Sequence, residues 1–442
     1  MADCKYCGAV LILLYLIAAV SSLALVTIIQ PQSGDCLVFE IGKNCALVAF
    51  MIIAMQVVLA ARFKGLSQPF GLDTVFGFHK AAAFTAAGLL ILHPVLMAWS
   101  SGSWNLIYSL NSRWYIWLGK ITLILLLINA VMSMWRARLQ IEFQKWRWTH
   151  NVLGLAILSF AFIHSYIVGP DLRNTAMRIF WPAVFAAAGL VYLYHKIYRP
   201  LRLNALQYTV TEVKRETHNV WTVRLAPPEG QKCYDFLPGQ FHFITFHRGR
   251  GLPVEEHHWT ISWTPSRKQT ASTIKESGDF TSTIGHTRIG DKAAVFGGYG
   301  RFSYVLYPQE RDLVFICGGI GITPMLSMLR HMHDTSVRKN VLLLSVNRTE
   351  DDIVCRQELE QIAKSGMPQL KFVYWLTNPP ENWRGERGRI SADSVAQYLS
   401  VDDAKTRAFY VCSPPQMTTA VLRLLHKLGV TGNRIHCERF SL

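Results

Sequence analysis

Before about residue 200 the chain is a succession of long apolar runs; after it, charge returns and strand-like alternation begins. The runs are Gly8–Ile29, Ala46–Ala61, Ala81–Trp99, Tyr115–Met134, Val152–Val168 and Ile179–Tyr198. Several approach the roughly 20 residues that a bilayer requires. Ala46–Ala61 and Val152–Val168 are short and are expected to extend by a turn. Inside lipid, every backbone amide must find its partner within the protein, which leaves helices as the economical solution for such runs. The first half therefore reads as an all-α, six-helix transmembrane bundle. The first run lacks a small-residue cleavage site and reads as an uncleaved helix.

The loop cations orient the bundle. With the N-terminus inside, the inner segments carry Lys5, Arg62, Lys64, Arg136, Arg138, Lys145, Arg147, Lys196, Arg199 and Arg202. The outer ones carry Lys43, Arg113, Arg173 and Arg178. This bias predicts six spans with both ends on the cytoplasmic side. The formal net charge is +16, but the cations flank apolar spans, which points to a membrane surface rather than nucleic acid. Cys36 and Cys45 fall in or beside the first outer loop, where a disulfide and two free thiols both remain open. Cys233, Cys317, Cys355 and Cys437 suit a reduced cytoplasmic domain.

Four histidines stand out in the apolar half. His79 and His93 are 14 residues apart, as are His150 and His164. On a helix that interval is about 21 Å of rise and leaves both side chains within about 40° of one face. The third and fifth spans run in the same direction, so His79 and His150 share the inner level and His93 and His164 the outer one. Two imidazole pairs at two depths suit two stacked haems, each held between two histidines. Buried hydrogen-bonding histidines are the plainer alternative for any one of them. Ala81, Ala82, Ala83, Ala86, Ala87 and Gly88, with Gly154 and Ala156, would leave room for the macrocycles or let helices pack closely.

In the second half, Tyr208–Leu225 and Gln240–Phe246 read as strands of an antiparallel β-barrel. His257-His258-Trp259-Thr260-Ile261-Ser262 supplies a donor (His257), an aromatic face (Trp259) and hydroxyls (Thr260, Ser262), as a flavin site needs. Lys275, Gly278 and Thr281 offer charge, a close-approaching backbone and a helix start to a pyrophosphate. Leu313–Ile316 is an apolar strand that leads into a turn with Gly318, Gly319, Gly321, Thr323 and Pro324, then a helix over Met325–His331. Strand, glycine turn and helix hold a dinucleotide pyrophosphate. Further strand-like runs at Val341–Val346, Leu370–Leu376 and Ala408–Val411 predict a doubly wound sheet. Arg348 lies where a 2′-phosphate would be read, which favours NADPH, with NADH as the alternative. Cys412 follows the last long strand, and Phe440, near the chain end, could cover the flavin ring.

These segments together resemble the ferric reductase and NADPH oxidase superfamily nearly end to end, and the second half also resembles ferredoxin–NADP reductases. The superfamily's haem motif falls on His79, His93, His150 and His164. Its flavin motif, usually His-Pro-Phe-Thr, matches His257, Trp259 and Thr260, with His258 at the proline. Its Gly-Asp-Trp-Thr segment matches Gly278, Asp279, Phe280 and Thr281. Its Thr-Pro-ending glycine turn matches Gly318 to Pro324, and its Cys-Gly-Pro matches Cys412, Ser413 and Pro414. Met97 stands where oxidases of this family often carry a second outer histidine.

The resemblance implies three parts. Residues 1–200 form a haem-binding membrane domain, 201–308 an FAD-binding barrel and 309–442 an NAD(P)H-binding domain. It further implies an enzyme that moves electrons from cytoplasmic NADPH through FAD and two b-type haems to a small acceptor at the outer face, dioxygen or a ferric chelate. Thr260, Cys412 and Phe440 are the expected catalytic residues, and the plasma membrane the expected location. A haem–flavin reductase serving quinone or a partner protein, and a flavin reductase merely anchored in lipid, are the competing expectations.

Overall fold

The computed structural model describes residues 4–29, 36–391, 394–395 and 397–438. They form two compact units, 1–199 and 200–442.

Among the described residues, the first unit contains six helices long and apolar enough to cross a membrane. They are α1 (Cys4–Ile29), α2 (Leu37–Ala60), α3 (Leu72–Ser100), α4 (Trp114–Trp135), α5 (Phe143–Val168) and α6 (Thr175–Leu193). Both α2 and α5 begin nine residues before the apolar runs that announce them. The extension carries polar residues such as Lys43 and Trp146-Arg147 into helical register, which hydropathy alone does not register. Helix α2 packs along α3, and α4 along α5. Phe50 stacks on Trp181 at 4.5 Å and Phe162 on Phe185 at 4.4 Å, tying α2, α5 and α6 into one core. Leu13, Leu14, Leu16 and Ile17 on α1 remain exposed, an apolar flank that suits lipid rather than water.

Two expectations are corrected here. Lys43 is not an outer-loop cation: it is buried in α2 and paired with Glu40 at 2.8 Å and Asp171 at 2.9 Å. A charge so enclosed persists only when paired, and this pair clamps α2 to the turn that precedes α6. Ala82, Ala86 and Ala87 do not leave room beside α3; they are buried in the core that α2 shares. Small side chains there bring two helix backbones close together. Cys36 and Cys45 are free thiols.

The second unit holds two six-stranded sheets. The first, in the order β4-β3-β6-β1-β2-β5, is antiparallel. Its strands are β1 (Tyr208–Thr217), β2 (Val220–Ala226), β3 (Phe241–His247), β4 (Glu256–Thr260), β5 (Thr270–Lys275) and β6 (Lys292–Tyr299). The expected barrel is not closed: the edge strands β4 and β5 are joined only through one isolated bridge, Ile261 with Ser272, among the described residues. The strand pairing is thus that of a partly open barrel. Both edge strands are short, so twist carries them apart before a full ladder can form.

The second sheet is parallel throughout, in the order β10-β9-β8-β7-β11-β12. Its strands are β7 (Asp312–Gly318), β8 (Asn340–Asn347), β9 (Gln369–Leu376), β10 (Glu386–Arg387), β11 (Ala408–Cys412) and β12 (Ile435–Glu438). Helices α7 (Ile322–Asp334), α8 (Arg356–Ser365), α9 (Val401–Thr406) and α10 (Pro415–Lys427) complete the doubly wound arrangement. The helix after the glycine turn starts at Ile322, three residues before the expected Met325. The strand order reverses at β7, which places the topological switch point between β7 and its neighbours.

Helix α7 also fastens the two sheets to each other. Ser327 accepts from the amide of Gly239 at 3.1 Å and donates to the carbonyl of Trp263 at 2.6 Å. Arg330, buried, pairs with Glu358 and lies 5.1 Å over the Trp263 ring.

Candidate functional site

The expected iron ligands occupy α3 and α5. The imidazole centroids of His79 and His150 are 6.3 Å apart. Metal–imidazole bonds are about 2 Å and a ring centre lies roughly 1.1 Å behind its nitrogen, so two rings gripping one ion have centroids about 6 Å apart. His93 and His164 lie within electrostatic range of each other.

The second nitrogen of each ring tests the fit. A metal-binding histidine donates its other N–H to a fixed acceptor, which selects the tautomer and orients the ring. Nδ1 of His93 donates to the carbonyl oxygen of Gly42 at 2.9 Å. Nδ1 of His164 donates to the carbonyl oxygen of Tyr115 at 2.7 Å. Nδ1 of His150 donates to the side-chain oxygen of Asn129 at 2.9 Å. In all three the lone pair is left on Nε2, free for a metal. His79 faces the backbone of Gln56, its Nδ1 buried without a well-formed hydrogen bond. Gly42 and Gln56 are themselves 14 residues apart on α2, so α2 repeats the spacing of the ligands it backs.

No cluster of three or more His, Cys, Asp or Glu suited to a metal occurs among the described residues. Opposed imidazole pairs supply only two ligands, so the donor set suits an iron whose equatorial positions come from a porphyrin. A Cβ placed on Gly88 or Gly154 would meet nothing within 4 Å, leaving open volume beside the ligand helices. Gly119 is different: a Cβ there would fall 2.8 Å from Cε1 of His164. Gly42, Tyr115, Gly119 and Asn129 were not legible as site residues, because each acts from a helix far away in sequence.

In the antiparallel sheet, β4 alternates as a strand must. His257 and Trp259 share one face, their rings 5.4 Å apart. Phe280 lies 4.1 Å from His257 and 5.9 Å from Trp259, so the two expected flavin segments do meet. Thr260 is buried on the other face of β4, paired with Phe241. Ser262 is wholly buried; its hydroxyl donates to Ala271 and accepts from Thr273. It therefore supports the strand instead of reaching a cofactor. Lys275 ends β5, half-buried. Thr281 opens a six-residue 3-10 turn, Thr281–His286, instead of an α-helix. Its hydroxyl already takes the amides of Ser277 and Gly278, at 2.8 and 3.0 Å. A ligand here would compete for those amides, which corrects the expectation of a free anion cradle. Gly278 itself is exposed and unobstructed.

The nucleotide turn lies at the switch point. Gly319 has φ +53° and open space where a side chain would be. Gly321 packs on β11: a Cβ there would lie 2.0 Å from the carbonyl oxygen of Cys412. On Gly318 it would lie 2.8 Å from Pro414. The glycine turn and the Cys412-Ser413-Pro414 segment are thus one surface. Thr323 and Pro324 are buried in the first turn of α7, and the Thr323 hydroxyl donates to the carbonyl of Ile320 at 3.0 Å. Arg348 is exposed immediately after β8. Cys412 is buried beside Cys317 and Glu438 in strand register. Burial, reinforced by the Glu438 carboxylate, pushes its thiol well above the usual range, so it stays protonated at neutral pH. Glu438 went unnoticed in the sequence because only pairing of β11 with β12 brings it to Cys412. Phe440 lies outside the described residues.

The fold and site define a multi-pass membrane protein whose second half pairs an antiparallel sheet with a doubly wound parallel sheet. Residues 45–161 match the family described as ferric reductase like transmembrane component, and residues 315–423 match the oxidoreductase NAD-binding domain. One chain thus joins a segment that matches a ferric reductase like transmembrane component to a segment that matches an oxidoreductase NAD-binding domain. It is similar to NADH-cytochrome b5 reductase 2 of Homo sapiens, 34% identical over 177 residues, which are 36% of this chain and 64% of the relative. It is also similar to cytochrome b5 reductase 4 of Rattus norvegicus, 33% identical over 37% of this chain and 32% of the relative. The chain thus spans between about a third and two thirds of these relatives. Among solved structures, the FAD/NAD-binding domain of nitric oxide dioxygenase from Vibrio cholerae aligns at 23% identity, covering 53% of this chain and 97% of that one, with a TM-score of 0.47.

Proposed function

We propose that this protein is a transmembrane oxidoreductase that passes electrons from cytoplasmic NAD(P)H to a one-electron acceptor at the outer membrane face. When bound, NAD(P)H supplies a hydride, FAD converts it into single electrons, and two b-type haems carry these across the bilayer. His79 with His150 would hold the inner iron, and His93 with His164 the outer one. The turn from Gly318 to Pro324 would hold the nucleotide pyrophosphate, with Arg348 reading a 2′-phosphate. His257, Trp259, Lys275 and Gly278 would line the flavin, and Thr260, Cys412 and Phe440 would lie at the reacting rings. Cys412, held as a neutral thiol, would position the nicotinamide without competing for the hydride.

The observation that carries this reading is the set of matched Nδ1 hydrogen bonds at Gly42, Asn129 and Tyr115. Three half-buried histidines oriented with Nε2 free are what iron ligation requires and what an inert lipid anchor does not. With two histidines holding each iron, the acceptor, dioxygen or a ferric chelate, would have to be reduced without binding the metal.

The test is outer-face reduction by His93→Ala and His164→Ala proteins. Each should lose it while still passing electrons from NADPH to a soluble dye. Outer-face reduction that survives both changes would refute the relay and leave an anchored flavin reductase. Comparing kcat/KM for NADPH and NADH in an Arg348→Ala protein tests the nucleotide preference.

A further inference from the structure

Three of the four expected iron ligands are buttressed, but not in the same way. His93 and His164 both lean on main-chain carbonyls, Gly42 and Tyr115. These acceptors come with the helix and no side-chain change can remove them. His150 alone leans on a side chain. Its Nδ1 lies 2.9 Å from Oδ1 of Asn129 and 3.3 Å from Oγ of Ser133. Asn129 is buried in α4, two-thirds of the way along the helix that packs on α5.

The surroundings fix the ring that this amide meets. Ser133 donates to the backbone carbonyl of Asn129 at 2.7 Å and accepts from the indole of Trp146 at 3.2 Å. The Trp146 ring lies 5.2 Å from that of His150. The guanidinium of Arg136 covers Trp146 at 5.8 Å. A buried polar side chain in an apolar span is costly unless its partner is fixed, and here the partner is the expected ligand.

We infer that Asn129 is the positioning residue of the inner haem, and that it sets that haem's reduction potential separately from the outer one. An acceptor on Nδ1–H makes the imidazole a stronger donor at Nε2, which stabilises the ferric state and lowers the potential. Because the outer ligands use main-chain acceptors, the inner site is where this chain adjusts one potential without touching the other. The inference rests on the proposed di-haem reading.

The experiment compares full-length wild type with Asn129→Leu and Asn129→Asp. Leu keeps the shape and removes the acceptor; Asp keeps the shape and strengthens it. Haem content is counted, both haems are titrated potentiometrically, and their low-spin resonances are recorded. In Asn129→Leu one of the two waves should move to higher potential, or one haem of two should be lost, with the other wave unmoved. In Asn129→Asp both haems should remain and the same wave should move the opposite way. This second variant keeps the test decisive where Leu fails to fold. Two haems with unmoved waves in both variants, or shifts of the same sign in both, would overturn the role of Asn129 alone. Wild-type protein without haem would overturn the underlying reading, and this one with it.

Discussion

The imidazole of His164 lies flat against Gly119: a methyl group on that glycine would sit 2.8 Å from Cε1 and 2.9 Å from Nε2 of the ring. Four residues earlier on the same helix, the carbonyl of Tyr115 receives the Nδ1 proton. One turn of α4 thus both holds the ring and leaves space for it.

Gly119→Ala should therefore displace His164 from its hydrogen bond. Overpacking of this kind costs about 1–3 kcal/mol. The expected result is loss of one of two haems, read from the absorbance-to-protein ratio, with flavin content unchanged. Gly189→Ala, at open space on α6, is the matched control and should keep both.

The two glycines of the nucleotide turn should respond differently. Gly321→Ala forces a side chain onto the Cys412 carbonyl at 2.0 Å, so β11 or α7 must move. Nucleotide affinity should fall by tenfold or more and the melting temperature should drop. Gly319→Ala meets no atom, and the cost is the positive φ alone, roughly 1–2 kcal/mol. Its affinity should fall less. Titration with NADP+ and thermal melts of both proteins decide the matter.

Much of the candidate site is legible in sequence because its signals are local. The 14-residue histidine interval, the glycine turn and the His257–Thr260 strand each lie within one element or at its end. What escaped depends on contacts between elements. Asn129, Gly42 and Tyr115 reach histidines 21, 51 and 49 positions away, and no periodicity marks them. Ala82, Ala86 and Ala87 were ambiguous for the same reason: small residues suit a haem or a neighbouring helix, and only packing against α2 chose between them. The buried Lys43 eluded a count of loop cations because its partner, Asp171, is 128 residues distant.

Cys412 should resist maleimide at pH 7 in the folded protein, while the exposed Cys437 reacts. Burial both blocks access and keeps the thiol protonated. Cys412→Ala should slow NADPH-to-flavin transfer, measured by stopped flow, by about tenfold through loss of alignment. Rapid labelling of Cys412 would contradict the buried placement.

His242 gives the second unit a pH dependence. Its ring is fully buried between the hydroxyls of Tyr234 and Ser272, and burial pulls its pKa from 6.5 down to about 3. The folded state binds its proton less readily than the unfolded chain. The stability contribution is thus complete above pH 6.5 and is lost as pH falls towards 3. At pH 5 the loss should be about 2 kcal/mol. Thermal melts of the full-length protein between pH 7 and pH 4.5 should show this decline, and His242→Gln should flatten it while lowering stability at pH 7.

The most direct test of the electron path is the optical spectrum of detergent-purified protein, oxidised and then reduced with NADPH, with haem and flavin quantified. The expected result is about two low-spin b-type haems per FAD, both reduced by NADPH. Flavin without haem would contradict it, and would reduce His79, His93, His150 and His164 to packing residues of a membrane-anchored flavin reductase.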